Sequence, residues 1–159
     1  MNKAILSAVV FWALAGACTA QTFIFAGDGR YYDTPVLRIE ADRCMPPYSY
    51  DWNEAYYTVT GNLITEGNSR WEHDPVYTLI ENKVYEGTAM YTSQIRYTFE
   101  AGILYRGNST FRLDALLSVH DSIIYKGAEN FPGDAVYMIQ GPYTTAELIA
   151  ALLALGLIS

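Results

Sequence analysis

Apolar and polar positions alternate in short bursts along most of the chain, and the bursts recur every twenty residues. Residues 76–87, VYTLIENKVYEG, and residues 96–107, RYTFEAGILYRG, carry one pattern written twice. Counting by twenty from Gly27 gives Gly67, Gly87, Gly107 and Gly127, with Pro47 in the one place where glycine is missing. Ten residues before each of these stands an apolar residue, mostly tyrosine: Leu37, Tyr57, Tyr77, Tyr97, Leu117, and Tyr137 in a last half-copy. No insertion or deletion breaks the phase between residues 23 and 140. A fixed period of this length marks a repeat architecture in which each copy is one supersecondary unit.

Each copy holds two short runs separated by two residues: Gly61-Asn62, Glu81-Asn82, Ala101-Gly102, Asp121-Ser122 and, less clearly, Ala41-Asp42. Two strands joined by two residues rich in Gly, Asn and Asp predict a tight hairpin. Residue 59 then opposes 64, and 58 opposes 65. One face carries Tyr57, Val59 and Ile64 with their equivalents and is the predicted core. The other pairs Thr58, Thr78, Thr98 and Ser118 with Thr65, Tyr85, Tyr105 and Tyr125, a ladder expected on a half-exposed sheet surface. The repeat glycines predict φ > 0 or a close backbone approach where each strand leaves for its loop.

Five whole hairpins lie between residues 36 and 127, while residues 23–26 match a second strand and residues 136–140 a first. The two half-copies can complete a sixth hairpin, its missing turn falling at about residues 21 and 22. The expected fold is mainly β: a closed or nearly closed antiparallel barrel of about twelve short strands. Closure removes the exposed edges that invite aggregation. A barrel of that count is roomier than the eight-stranded kind whose side chains just fill it. The C-terminal segment, YTTAELIAALLALGLIS, is the candidate filler. Gly141-Pro142 ends the last strand, Thr144 and Glu147 form a capping box, and residues 148–155 are apolar on every side, as in a buried helix. About 14 helical residues, roughly 21 Å, fall short of a bilayer core. A central plug is expected, with a membrane-inserted or partner-bound tail as the alternative.

The N-terminus reads as an export signal occupying residues 1–20: Lys3, an apolar run at residues 4–17, then small residues to Ala20. Cleavage after Ala20 would leave Gln21 first, where the repeat phase also places the start of the domain. The domain expected is thus residues 21–143, with the hydrophobic helix at 144–159. Leu14 lies four residues before Cys18, one more than in the usual lipoprotein box, and acylation of Cys18 is the alternative. Either outcome leaves Cys44 alone, a small buried apolar residue with no disulfide partner. Loss of the leader leaves nine basic against seventeen acidic residues. Nucleic acid, which needs clustered Lys and Arg, is an improbable partner, and so is electrostatic docking on an anionic membrane. Membrane association is expected only if Cys18 is acylated.

The repeated Tyr-Thr-apolar strands, the Ile-Tyr-x-Gly strands and the hydrophobic C-terminal helix resemble the β-flower proteins, mostly bacterial families. The resemblance implies hairpin petals around a shallow barrel and a hydrophobic helix. The best-described of these families has four petals, where this chain counts six. The broad architecture is also similar to the carboxyl-terminal domain of tubby proteins. The phosphoinositide binding which that likeness implies needs a basic pocket, and the scattered Arg70, Lys83, Arg96, Arg106, Arg112 and Lys126 offer no matching stretch.

Catalytic candidates are few. His73 falls in a loop and His120 at a hairpin turn; two histidines and one mature cysteine supply a metal site poorly. No nucleophile motif is present, and neither an enzyme nor a cofactor is expected. Glu54, Asp74, Asp114 and Asp134, each just before a strand, could ring a calcium ion, although such acids more often cap loop amides. Binding is the better supported class: an exported, periplasmic or secreted module, monomeric, for a lipid or other apolar ligand. The alternative is a structural or adaptor protein that meets an envelope protein or a carbohydrate through loops such as YSYDWNEAYY. Trp52 and Trp71, with Tyr85, Tyr105 and Tyr125, are the candidate ligand-binding residues. For either tryptophan alone, packing of one loop on the next is the plainer role.

Overall fold

The computed structural model describes residues 20–28, 34–69, 74–88 and 91–159. The expected leader up to Thr19, with Cys18, lies outside these residues, as do Arg70, Trp71 and His73. Twelve antiparallel strands form one closed barrel. Strand β1 (Thr22–Ala26) is followed by five hairpins: β2 (Pro35–Glu40) with β3 (Arg43–Met45), β4 (Tyr57–Thr60) with β5 (Leu63–Glu66), β6 (Tyr77–Ile80) with β7 (Lys83–Glu86), β8 (Ile95–Glu100) with β9 (Ile103–Arg106), and β10 (Ala115–His120) with β11 (Ile123–Lys126). β12 (Ala135–Gln140) then pairs back onto β1, with Phe23 opposite Gln140 and Ile24 opposite Ile139. The two half-copies therefore complete the sixth hairpin as the repeat phase predicts. Thr22 Oγ1 donates to the carbonyl of Pro142 across the missing turn. A Cβ on Gly141 would lie 2.6 Å from the Gln21 carbonyl, so this closure requires glycine.

The hairpin turns have the mirror-image geometry whose twist matches that of the flanking strands. Their first residue, Ala41, Gly61, Glu81, Ala101 or Asp121, has φ between +47° and +60°. The carbonyl of the second turn residue is bound by the next hairpin. Val59, Leu79, Phe99, Val119 and Ile139 donate their N–H groups to Asp42, Asn62, Asn82, Gly102 and Ser122 at 2.7–2.8 Å. Each petal is thus hydrogen-bonded to its successor at its tip. Strand β3 is the shortest, because Pro46 and Pro47 follow it and proline has no N–H for the ladder. A register shift recurs where β2, β8, β10 and β12 each meet the strand before them in the ring or beside them, which adds local bend to the wall.

The interior is one continuous apolar core built around the helix α1 (Thr145–Ala154). Every strand supplies a buried residue to it: Ile24, Ile39, Cys44, Val59, Ile64, Leu79, Val84, Tyr97, Leu104, Leu117, Ile124 and Ile139, in strand order. Ala146 and all six residues from Leu148 to Leu153 are buried in turn. Thr144 Oγ1 accepts from Glu147 N, and the Glu147 carboxylate accepts from Thr144 N at 2.7 Å, the capping box expected. The helix is shorter than the 14 residues expected, ten in all or about 15 Å. Gly156, at φ +67°, closes it: Gly156 N donates to Leu153 O and Leu157 N to Leu152 O, a Schellman ending. The tail then returns toward the wall and buries Ile158. Among the described residues no helix is long and apolar enough to cross a membrane.

The outer face corrects the expectation of a half-exposed ladder. Thr58, Thr65, Thr78, Thr98 and Ser118 are all buried, as are Tyr105 and Tyr125, while Tyr85 is half-buried. The loops between hairpins fold back over the strands and cover this face. The hydroxyls of Thr58, Thr78 and Thr98 donate to the carbonyls of Gly67, Gly87 and Gly107 at 2.6–2.8 Å. Thr65 reaches Ser69 O at 2.6 Å, and Ser118 reaches Glu129 O at 3.3 Å. Each such bond gives a net of about 0.5–1.5 kcal/mol. In the hairpin that has Pro47 in place of glycine, Arg38 replaces the threonine. Its guanidinium reaches Ser49 O at 2.5 Å and Glu40 at 3.3 Å, and its Nε is buried with no hydrogen-bond partner among the described residues.

The repeat glycines have φ between +62° and +81°, and a Cβ on Gly107 would meet open space, so the constraint there is the backbone angle. Gly107→Val is expected to cost upwards of 1–2 kcal/mol, roughly the penalty for a left-handed L-residue and more for a β-branched one. Glu100→Gln, on an exposed position, should stay within about 0.5 kcal/mol. Chemical denaturation of the two variants beside the wild type measures this, and equal midpoints would contradict it.

Candidate functional site at the barrel mouth

The first residue pair of each hairpin lies at the end of the barrel where the helix finishes. Tyr57 is opposite Glu66, Tyr77 opposite Glu86 and Tyr97 opposite Arg106. The tyrosines share the inward parity of Val59, Leu79 and Phe99; Tyr57 and Tyr77, first in their strands, are half-buried and border solvent as well as core, while Tyr97, third in β8, is buried. The tail fills the middle of this ring. Tyr97 Oη donates to the Ser159 carbonyl and accepts from Ser159 N at 3.0 Å. The Tyr77 and Tyr97 rings meet at a tilt of 53° with centroids 6.4 Å apart.

Between tail and wall lies a chain of depressions. The largest of three, about 660 Å³, is lined by Tyr57, Val76, Tyr77, Glu86, Leu153 and Ile158 among others. A second of about 340 Å³ runs between Arg96, Tyr97, Arg106 and Leu157, and a third of about 310 Å³ between Tyr56, Tyr57, Glu66 and Leu153. The rim is charged asymmetrically, with Glu66 and Glu86 on one side and Arg96 and Arg106 on the other. Arg96 is paired with Glu86 at 2.5 Å and has its pKa raised by that hydrogen bond. Burial, and then the Glu66 carboxylate, push the Tyr57 phenol above its ordinary value. Burial, then Tyr97 and Glu86, do the same to Tyr77. The arrangement is an apolar groove edged by aromatic hydroxyls and a few fixed charges.

The residues singled out from the sequence are not gathered there. Tyr85, Tyr105 and Tyr125 belong to the covered outer face, and burial leaves Tyr105 and Tyr125 no open aromatic face to offer a ligand. Trp52 is exposed on the loop that follows β3, its ring over the Arg43 guanidinium at 4.8 Å. Trp71 and Cys18 lie outside the described residues. Cys44 is free and buried against the helix, Sγ 3.8 Å from the Glu147 carbonyl; burial and the Glu147 charge raise its pKa strongly. The pre-strand acids stay in separate loops: Asp114 accepts from Ser109 Oγ at 2.5 Å, and Glu54 lies in a short 3-10 turn capped by Asp51. Among the described residues no three His, Cys, Asp or Glu side chains come together as metal ligands. The rim tyrosines were missed as site residues because alternation assigns them to the core. The signal available was their position at the first strand pair, opposite a charged residue.

The structure defines a class: a six-hairpin repeat barrel closed around its own C-terminal helix. Residues 24–153 match the family described as the 6-fold beta flower protein, and the chain belongs to that family. No curated protein and no solved structure matches the chain.

Because the folded state holds the phenolic protons of Tyr57 and Tyr77 more tightly than the unfolded chain does, their contribution is complete below about pH 10 and is lost as pH rises through the raised values. The melting temperature should therefore fall above about pH 10, and Tyr77→Phe should fall less steeply than wild type. Parallel slopes in a pH 8–11 melting series would contradict the assignment.

Proposed function

We propose that this β-flower protein is an exported, non-catalytic binding module of the cell envelope whose ligand is a lipid or other apolar molecule, held at the barrel mouth. The observation that carries the reading is the groove of about 660 Å³ lined by the half-buried Val76 and the edges of the buried Leu153 and Ile158, beside Tyr57 and Tyr77. Concavities of this size, mostly apolar with a few polar groups, are the ordinary form of small-molecule sites. The helix occupies the barrel interior, so the ligand's seat is the groove and not the lumen. Export rests on the leader read at residues 1–20, and anchoring to a membrane requires acylation of Cys18. The rim charges of Glu86 and Arg96 neutralise one another, and they leave the groove suited to an apolar chain.

Native mass spectrometry of the protein purified from its own envelope, compared with the denatured protein, tests this together with titration by cis-parinaric acid. A co-purifying mass in the lipid range is expected, lost on denaturation, with saturable parinaric fluorescence. Val76→Arg, which places a charge in the groove from a half-buried position, should weaken the probe at least about tenfold, the effect of roughly 1.4 kcal/mol. A bare protein mass with no saturable probe binding would contradict the reading.

A further inference from the structure

A second surface, separate from the mouth and independent of the reading given to it, is built around the loop between β3 and β4. This loop carries Tyr48, Tyr50 and Trp52, and all three are exposed. Tyr50 and Trp52 both border cationic side chains. Each has an arginine against it: Arg38 Cζ lies 5.7 Å from the Tyr50 ring centre and Arg43 Cζ 4.8 Å from that of Trp52, both within cation–π range. Both arginines are themselves fixed. Arg38 is buried and bonded to Ser49 O and Glu40. Arg43 donates from Nε to Asn68 Oδ1 at 2.6 Å and from Nη1 to Ala41 O at 3.1 Å.

This hairpin departs from the other repeats in several features at once. It replaces the repeat glycine with Pro47 and the clasping threonine with Arg38, which bonds Ser49 O in the loop that bears the rings. Asp51 caps the 3-10 turn Trp52–Glu54 through Asn53 N at 2.9 Å, which sets the backbone under Trp52. Trp52, 40% exposed, has the Arg43 guanidinium over its ring, while Tyr50, 89% exposed, is open almost all round.

We infer that Trp52, held against Arg43, and the open Tyr50 ring on the same loop form a binding patch for a neutral polysaccharide. A pyranose ring presents a face of C–H groups that packs on an electron-rich aromatic ring, while its hydroxyls point outward in the ring plane. The exposed Asp51, Asn53, Glu54 and Asn68 beside the rings supply donors and acceptors of the kind hydroxyls need. The rings and the polar side chains beside them are exposed, which suits a polymer lying along the surface. Tyr, Trp and Arg also anchor protein interfaces, where the surrounding contacts exclude water, whereas exposed acids and amides that offer partners to hydroxyls border these rings. The acidic balance of the chain disfavours anionic glycans. Rigid aromatic contacts with few torsions to freeze lose little entropy on binding.

Affinity electrophoresis of the full chain in native gels containing hydroxyethyl cellulose, laminarin, dextran or galactomannan, with dextran sulfate as the anionic control, tests the inference. Retardation by at least one neutral polymer is expected, and the exposed-site double variant Tyr50→Ala, Trp52→Ala should lose it, with affinity down at least about tenfold and the melting temperature held. Arg43→Met, which keeps the ring but removes its support, should give an intermediate loss. No retardation by any neutral polymer, retardation by dextran sulfate alone, retardation undiminished in the double variant, or cross-linking of the loop to an envelope protein without glycan binding would each overturn it.

Discussion

A ring of twelve strands encloses more volume than inward side chains of ordinary size fill, and an empty apolar space forfeits the contacts that hold a core together. The fold depends on how that space is occupied. Every strand turns at least one buried apolar residue toward α1, and α1 is apolar on all sides, so wall and helix bury one another. Leu148, Ile149, Leu152, Leu153 and Ile158, at roughly 1.5–3 kcal/mol each, together match the ~5–15 kcal/mol stability of a whole domain. Polar groups at both helix ends are bonded locally, by the Thr144–Glu147 box at one and the Gly156 turn at the other, which lowers the cost of taking the helix into the core.

That central burial explains why the repeat is so regular. A petal out of phase would turn its apolar face outward, since a one-residue slip reverses every side chain of a strand. The positive-φ turns and the bonds from turn carbonyls to the next petal hold the phase at the tips. The repeat glycines, with the threonine hydroxyls that bind the carbonyls of three of them, fold the loops back over the outside. The barrel is therefore layered as helix, strands and loops. Regularity in the inner two layers leaves the outer one free to vary, and the variation falls where Arg38 and Pro47 replace the usual pair.

Much of this could be read in the sequence, for particular physical reasons. The glycine period and the two-residue turns established six hairpins, and the half-copies at residues 23–26 and 136–140 established closure, because strand pairing admits few registers. Alternation told which side of a strand Thr58 faces but not what covers that side. A ten-residue loop can project from the rim or lie across the wall, and hydrogen bonds from Thr58 and Thr65 choose the second. Alternation likewise placed Tyr57, Tyr77 and Tyr97 inside, which holds for Tyr97, but said nothing of depth along the barrel axis, which makes Tyr57 and Tyr77 rim residues. The shorter helix follows from Gly156, a stop signal visible in the sequence but outweighed there by the unbroken apolar run. Trp52 was recognised as an exposed aromatic, while the arginines beneath it and beneath Tyr50 are close only in space.

The helix is structural filling for this barrel and not a detachable tail. The most direct measurement of this is the thermal unfolding and circular dichroism of the protein truncated after residue 143, compared with the full chain. Mutual burial predicts that the truncated protein loses its cooperative transition and aggregates. A monodisperse truncation with native circular dichroism and an unchanged melting temperature would contradict it.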